Sequence, residues 1–168
     1  MICLPIVGSS MAKAFDQITA AEKCADILEL RLDLIANFDL KELLNAASKP
    51  IIVTARSKLD GGQFKGAEEK RIGVLNHALE LGVNYVDIEV STSREYLQPF
   101  LESHDTSRII LSYHDFSHTP EDLDPLYEAM NALPGEIKKI VTYARDLSDN
   151  LKILKLLERA KNEQKKLI

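Results

Sequence analysis

Five short stretches carry the side chains that could do chemistry. Ile137-Lys138-Lys139-Ile140 sets two amines in an apolar run, and Ser112-Tyr113-His114-Asp115-Phe116 ends another such run on an imidazole. Glu29-Leu30-Arg31-Leu32-Asp33, Thr54-Ala55-Arg56-Ser57 with Asp60-Gly61-Gly62 behind it, and Asp87-Ile88-Glu89 add two guanidiniums and several carboxylates. An amine can attack a carbonyl, a histidine can move protons near neutral pH, and arginines can hold anionic or hydroxylated groups. Singly, each has a plain structural account. A lysine in a strand guards an edge or snorkels, a histidine at a strand end is usually hydrogen-bonded, and Arg56 could answer a neighbouring carboxylate. Their coincidence gives the chemical reading its weight.

The elements that must position them follow from periodicity. In Asp26 to Leu34, Leu28, Leu30, Leu32 and Leu34 alternate with Ile27, Glu29, Arg31 and Asp33, which predicts one strand with its charges on a single face. Ile2–Val7, Pro50–Arg56, Asn84–Val90, Arg108–His114 and Glu136–Tyr143 read as further strands, with a seventh beginning at the C-terminal lysines. Between them lie helical spacings: Met11–Lys23 after Gly8-Ser9-Ser10, a helix capped by Asp39, Glu68–Leu81 stopped by Gly82, and Ser93–Ser103 interrupted by Pro99. Two more start at Thr119-Pro120-Glu121-Asp122 and at Ser148. Ser57–Gly66 reads as a glycine-bearing binding loop.

Strand starts recur every ~24 to 34 residues, the length of one strand–helix unit. An open doubly wound sheet and a (β/α)8 barrel both fit that repeat. One-sided charge on the second and fourth strands favours the barrel, because central strands of an open sheet are covered on both faces whereas barrel strands turn one face to a mouth that can be polar. A complete barrel takes ~250 residues. The expectation is therefore an α/β (β/α)8 TIM barrel of which about six βα units are present, as one domain spanning residues 1–168. Its site is expected at the C-terminal strand ends, with one of Lys138 or Lys139 lower in the barrel.

Composition narrows the function classes. The 168 residues are 45% hydrophobic and 28% charged, with a net charge of −5. That charge, without a basic block, argues against nucleic acid or an anionic membrane as partner. Cys3 and Cys24 form neither a disulfide framework nor a metal-ligand spacing, and no signal peptide or membrane-spanning run is visible. The expectation is a cytoplasmic protein with no metal or cofactor.

The five stretches, in this order along the whole chain, resemble the type I 3-dehydroquinate dehydratases of the shikimate pathway, whose fold is the (β/α)8 barrel. The resemblance implies that Lys139 forms a Schiff base with the substrate ketone, while Lys138 faces the other side of the strand. It implies that His114 is the general acid/base, and that Glu29, Arg31 and Arg56 hold the substrate's hydroxyls and neighbouring charges. Asp60 stands where the family usually has a glutamate associated with the histidine, one methylene shorter. The implied reaction is 3-dehydroquinate to 3-dehydroshikimate plus water, with 3-dehydroquinate the small-molecule partner and a homodimer expected when complete. The family's last two units bring an arginine for the substrate carboxylate and a lid with a glutamine, and this sequence stops before both. A non-catalytic fragment, or the N-terminal part of a larger protein fused to a shikimate dehydrogenase, is the main rival. A class I aldolase would also use a strand lysine, but the Ser112–Phe116 match counts against it.

Overall fold

The computed structural model describes residues 1–168, which divide into two compact units, Met1–Ile88 and Glu89–Ile168. In both, short parallel strands alternate with helices, an α/β arrangement.

The first unit runs β1 (Cys3–Ile6), α1 (Met11–Ala21), β2 (Ile27–Arg31), α2 (Leu40–Asn45), β3 (Ile51–Thr54), α3 (Glu68–Glu80) and β4 (Tyr85–Glu89), whose last residue opens the second unit. β1 pairs with β2, β2 with β3 and β3 with β4, all parallel. Registers place Arg31 beside Thr54 and Thr54 beside Asp87, so three polar side chains share one row and one face. Leu28, Leu30, Val53 and Val86 are fully buried and form the apolar body of the sheet. Ser10 caps α1 and Asp39 caps α2, accepting the Glu42 N–H at 2.9 Å. Gly82, at φ 86°, follows α3 in the left-handed conformation that glycine adopts without strain.

The second strand is shorter than its leucine pattern suggests. β2 stops at Arg31, and a Leu34 N–H bond to Arg31 O at 3.0 Å folds the next residues into a turn. Asp33 therefore sits in that turn, and alternation does not decide where its side chain goes.

The second unit continues with α4 (Arg94–Ser103), β5 (Ile109–Asp115), α5 (Asp124–Asn131), β6 (Ile137–Thr142), α6 (Leu147–Asn162) and the two-residue β7 (Lys166–Leu167). β5–β6 and β6–β7 are parallel, and Val90 N–H, just past β4, donates to Ser112 O at 2.9 Å. Its core joins Leu123, Tyr127 and Met130 around α5 to Ile140 of β6 and to Leu156 and Ala160 of α6. Pro99 lies inside α4, which runs unbroken through it where the sequence suggested an interruption.

Two helix starts differ from the sequence reading. The Thr119 hydroxyl is spent on Thr142 Oγ1 at 2.9 Å and Tyr143 O at 3.2 Å, tying its loop to the end of β6, and α5 begins later, at Asp124. α6 is capped by Asp146, which accepts the Ser148 N–H at 2.7 Å. No helix is long and apolar enough to cross a membrane.

Candidate active site

In the first unit, chemistry gathers around Arg56, two residues past the end of β3. Its side chain is 4% exposed, and Nη1 donates to Asp87 Oδ1 at 2.8 Å while Nη2 lies 4.0 Å from Glu29 Oε1. A buried guanidinium needs such partners, since an unpaired charge away from water is costly. Glu29 is fixed from a second direction, its Oε1 accepting the Thr54 hydroxyl at 2.7 Å. Strand parity produces this arrangement: Glu29, Thr54 and Asp87 project from three adjacent strands toward the same face.

Arg31 is engaged elsewhere. Its Nε and Nη2 each donate to one oxygen of Asp33 at 2.9 Å, a two-pronged charge-assisted pair. The hydrogen bond to Asp33 raises the Arg31 pKa above its ordinary value against the opposing effect of burial.

The glycine-bearing loop is wound tightly onto Arg56. Gly62 N–H donates to Ser57 O at 2.7 Å, and a Cβ on Gly62 would lie 2.2 Å from the Arg56 carbonyl oxygen, so no other residue fits without shifting backbone. Inside this turn Asp60 is buried, its Oδ2 accepting the Ser57 hydroxyl at 2.8 Å.

In the second unit the amine and the imidazole come to the same face of adjacent strands. Ser112 is the register partner of Lys139, and His114 that of Val141, so His114 and Lys139 stand one pleat apart on β5 and β6. Phe116 stacks on the His114 ring at 5.8 Å between centroids and 17° between planes. The chain reaches Phe116 through a turn built on Asp115, whose Oδ1 accepts the backbone N–H groups of Ser117 and His118 at 2.8 and 3.0 Å. Those bonds, led by the Ser117 hydroxyl, pull the Asp115 pKa down to about 2.

Lys138 points the other way, into the helix-covered side with Ile140. It is buried, and Nζ donates to the carbonyl oxygens of Leu133 and Gly135 at 2.9 and 2.6 Å. Burial, with the charge of Lys165 adding to it, pushes its pKa down to about 8. A lowered amine pKa by itself would nominate Lys138 as the nucleophile. Geometry argues otherwise, because its protons are committed to two carbonyls closing the turn before β6.

The structure identifies three partners: Thr54 as the donor to Glu29, Asp87 as the neighbouring-strand carboxylate expected for Arg56, and Asp33 as the partner of Arg31. The first two depend on strand register, which one sequence does not print. Arg71 of α3 is likewise buried, donating to Ala55 O and Glu68. Chemically, the second unit offers an amine and an imidazole for carbonyl chemistry, and the first offers guanidiniums, carboxylates and a hydroxyl for holding a polyhydroxylated anion.

Comparison with known proteins gives a consistent result. The chain matches the family described as type I 3-dehydroquinase over residues 2–168. It is 35% identical over 163 residues to the 3-dehydroquinate dehydratase of Methanococcus maripaludis strain C7, covering 95% of this chain and 74% of the relative. It is 41% identical over 171 residues to the 3-dehydroquinate dehydratase of Methanobrevibacter smithii, covering 96% and 73%. The crystal structure of 3-dehydroquinate dehydratase from Geobacillus kaustophilus superposes with a TM-score of 0.81 at 27% identity, over 99% of this chain and 71% of that one.

Proposed function

The chain belongs to the type I 3-dehydroquinase family, and we propose on that footing that it dehydrates 3-dehydroquinate to 3-dehydroshikimate through a lysine Schiff base. The Lys139 amine adds to the substrate ketone, and loss of water leaves a protonated imine. That cation is an electron sink, so a carbon-bound proton beside it can be taken by His114. The electron pair left behind expels the β-hydroxyl, to which His114 returns the proton, and water leaves. A second water hydrolyses the conjugated imine, releasing product and the free Lys139 amine. Glu29, Arg31 and Arg56 hold the substrate's hydroxyls and neighbouring charges, and Asp60 supports the acid–base function of the histidine.

The observation that carries this reading is the β5–β6 register, which sets Lys139 and His114 on one face while Lys138 is held on the other. The test is borohydride reduction in the presence of 3-dehydroquinate, followed by peptide mass analysis. A mass increment on Lys139, absent in Lys139→Ala, is expected. Labelling that survives Lys139→Ala and disappears in Lys138→Ala would overturn the assignment.

The proposal includes the finer architecture: one barrel domain of the (β/α)8 kind contributing six βα units, cytoplasmic, and a homodimer when complete. One observation favours a second reading. The chain spans about three-quarters of the length of the relatives it matches. A polypeptide of that extent could keep the Schiff-base lysine yet turn over only with further units. A steady-state assay of enone formation on this chain and on a longer form separates the two: equal rates sink the second reading, and labelling without turnover in the shorter form supports it.

A further inference from the structure

Asp33 belongs to none of the roles assigned above, yet its carboxylate is fully buried and satisfied on both oxygens. Oδ1 accepts Arg31 Nε at 2.9 Å, and Oδ2 accepts both Arg31 Nη2 at 2.9 Å and the backbone N–H of Gln63 at 3.1 Å. The two donors come from separate parts of the first unit. Arg31 closes β2, whereas Gln63 lies in the loop that carries Asp60. The turn after β2 brings the Asp33 carboxylate back alongside the arginine that precedes it by two residues.

On the loop side, the stretch before Gln63 is rigid. Gly61 takes φ 75°, Gly62 sits against the Arg56 backbone, and Phe64 N–H returns to Arg56 O at 3.3 Å. The Gln63 bond therefore gives the turn that carries Asp60 a second tether, to the turn after β2, beside its contacts with Arg56. On the strand side, the fork engages Nε and one edge of the guanidinium, which sets its plane and leaves its remaining N–H groups for another acceptor.

We infer that Asp33 is a positioning residue that clamps the Asp60 loop to the Arg31 guanidinium, so that both are set as one piece. The inference rests on the proposed roles of Arg31 toward the substrate and of Asp60 toward the histidine, but the clamp is measurable without substrate. A carboxylate is needed because it alone offers two oxygens to the guanidinium while keeping a lone pair for the loop amide. Asn at this position would keep an acceptor for Gln63 and lose the fork. Ala would lose both.

Hydrogen exchange of residues 57–66, measured on the whole chain, tests the clamp. In Asp33→Ala, exchange across this loop should rise about tenfold or more, while the β2 and β3 amides keep their protection. In Asp33→Asn the loop should stay within about threefold of the parent, since an acceptor remains. Gln63→Pro removes the donor and leaves Asp33 and Arg31 untouched, so it should loosen the loop as Asp33→Ala does even where the alanine variant folds poorly. Calorimetry with 3-dehydroquinate is read separately, and Asp33→Asn should bind about tenfold more weakly than the parent despite its protected loop. Unchanged loop exchange in both Asp33→Ala and Gln63→Pro overturns the clamp. A loosened loop in a protein whose parent binds no 3-dehydroquinate upholds the clamp and sinks the functional reading instead.

Discussion

Lys138 and Lys139 are neighbours on β6 that serve opposite faces: the Lys138 amine closes the turn before the strand through Leu133 O and Gly135 O, and Lys139 stands across from Ser112 on the face that also carries His114. A covalent lysine beside a second lysine risks misdirected reaction. The backbone removes that risk by occupying one of the two amines.

Lys138→Met should therefore leave Lys139 labelling intact and destabilise the fold, since the turn carbonyls of Leu133 and Gly135 lose their donor, at about 0.5–1.5 kcal/mol per hydrogen bond. Its pH signature has a definite sign. The folded pKa of about 8 lies below the ordinary amine value, so the unfolded chain binds more protons between the two. Stability from this group rises as pH climbs from about 8 toward 10.5 and is lowest below 8. Urea unfolding across that range should show the rise in the parent and lose it in Lys138→Met. Parallel curves for the two proteins would place the amine in solvent.

The Arg56–Asp87 pair should matter more to folding than any surface ion pair of the chain. Removing one partner leaves a buried charge uncompensated, which typically costs about 3–5 kcal/mol. Asp87→Asn keeps the shape and removes the charge, so a loss of at least about 2 kcal/mol in urea unfolding is expected. By contrast, Lys166→Ala removes only an exposed partner of Glu136 and should change stability by less than about 1 kcal/mol. Equal effects from the two would mean that Arg56 is solvated.

The sequence made the alternation of strands and helices legible because β2 and β4 repeat apolar residues at period two, β3 and β5 are short apolar runs, and punctuation marks some helix ends, as at Asp39 before α2 and Gly82 after α3. The residues alone left Lys138 and Lys139 as alternatives, and it was the resemblance that chose Lys139 and joined it to Glu29, Arg31, Arg56 and His114. Invisible were the relations between strands: which hydroxyl meets Glu29, which carboxylate meets Arg56. Those depend on register, and a shift of one residue would reverse every face. Asp33 misled for a different reason. The leucine alternation runs past the end of β2, so the pattern continues where the hydrogen bonding does not. Thr119-Pro120 looked like a helix start because Thr and Pro favour one, but its hydroxyl found a better partner in Thr142.

For His114, the proposed general acid/base, substitution by Ala should cost ~10² to 10⁴-fold in kcat with a much smaller change in KM. Stopped-flow and steady-state assays on a turnover-competent form would measure both. A variant that turns over normally would leave the imidazole a structural partner of Phe116.

The turn that carries Phe116 should hold in acid below the range in which ordinary carboxylates protonate. Asp115 has a folded pKa of about 2, below its ordinary value of 3.8, so its contribution is present above the ordinary value and lost as pH falls through about 2. The backbone amide of Ser117, which donates to Asp115, should titrate in NMR with a midpoint near 2. A midpoint near 3.8 would mean that the turn is not held by this carboxylate.

Thr54 offers the finest separation of packing from hydrogen bonding. Its side chain is fully buried, and its hydroxyl is the short contact that fixes Glu29. Thr54→Val preserves shape but replaces the donor by a methyl group, so Glu29 Oε1 loses its 2.7 Å hydroxyl contact. Thr54→Ser keeps the donor and removes a methyl, opening a small void worth about 1 kcal/mol. If packing were the whole role of Thr54, the serine variant would be the more damaged by every measure. If the hydroxyl positions Glu29, the order reverses for ligand binding: Thr54→Val should weaken 3-dehydroquinate about tenfold, by the ~1.4 kcal/mol that a tenfold change represents, while Thr54→Ser stays near the parent. Calorimetric affinities alongside urea unfolding of both variants distinguish the cases, and affinities that simply track stability would reduce Thr54 to a core residue.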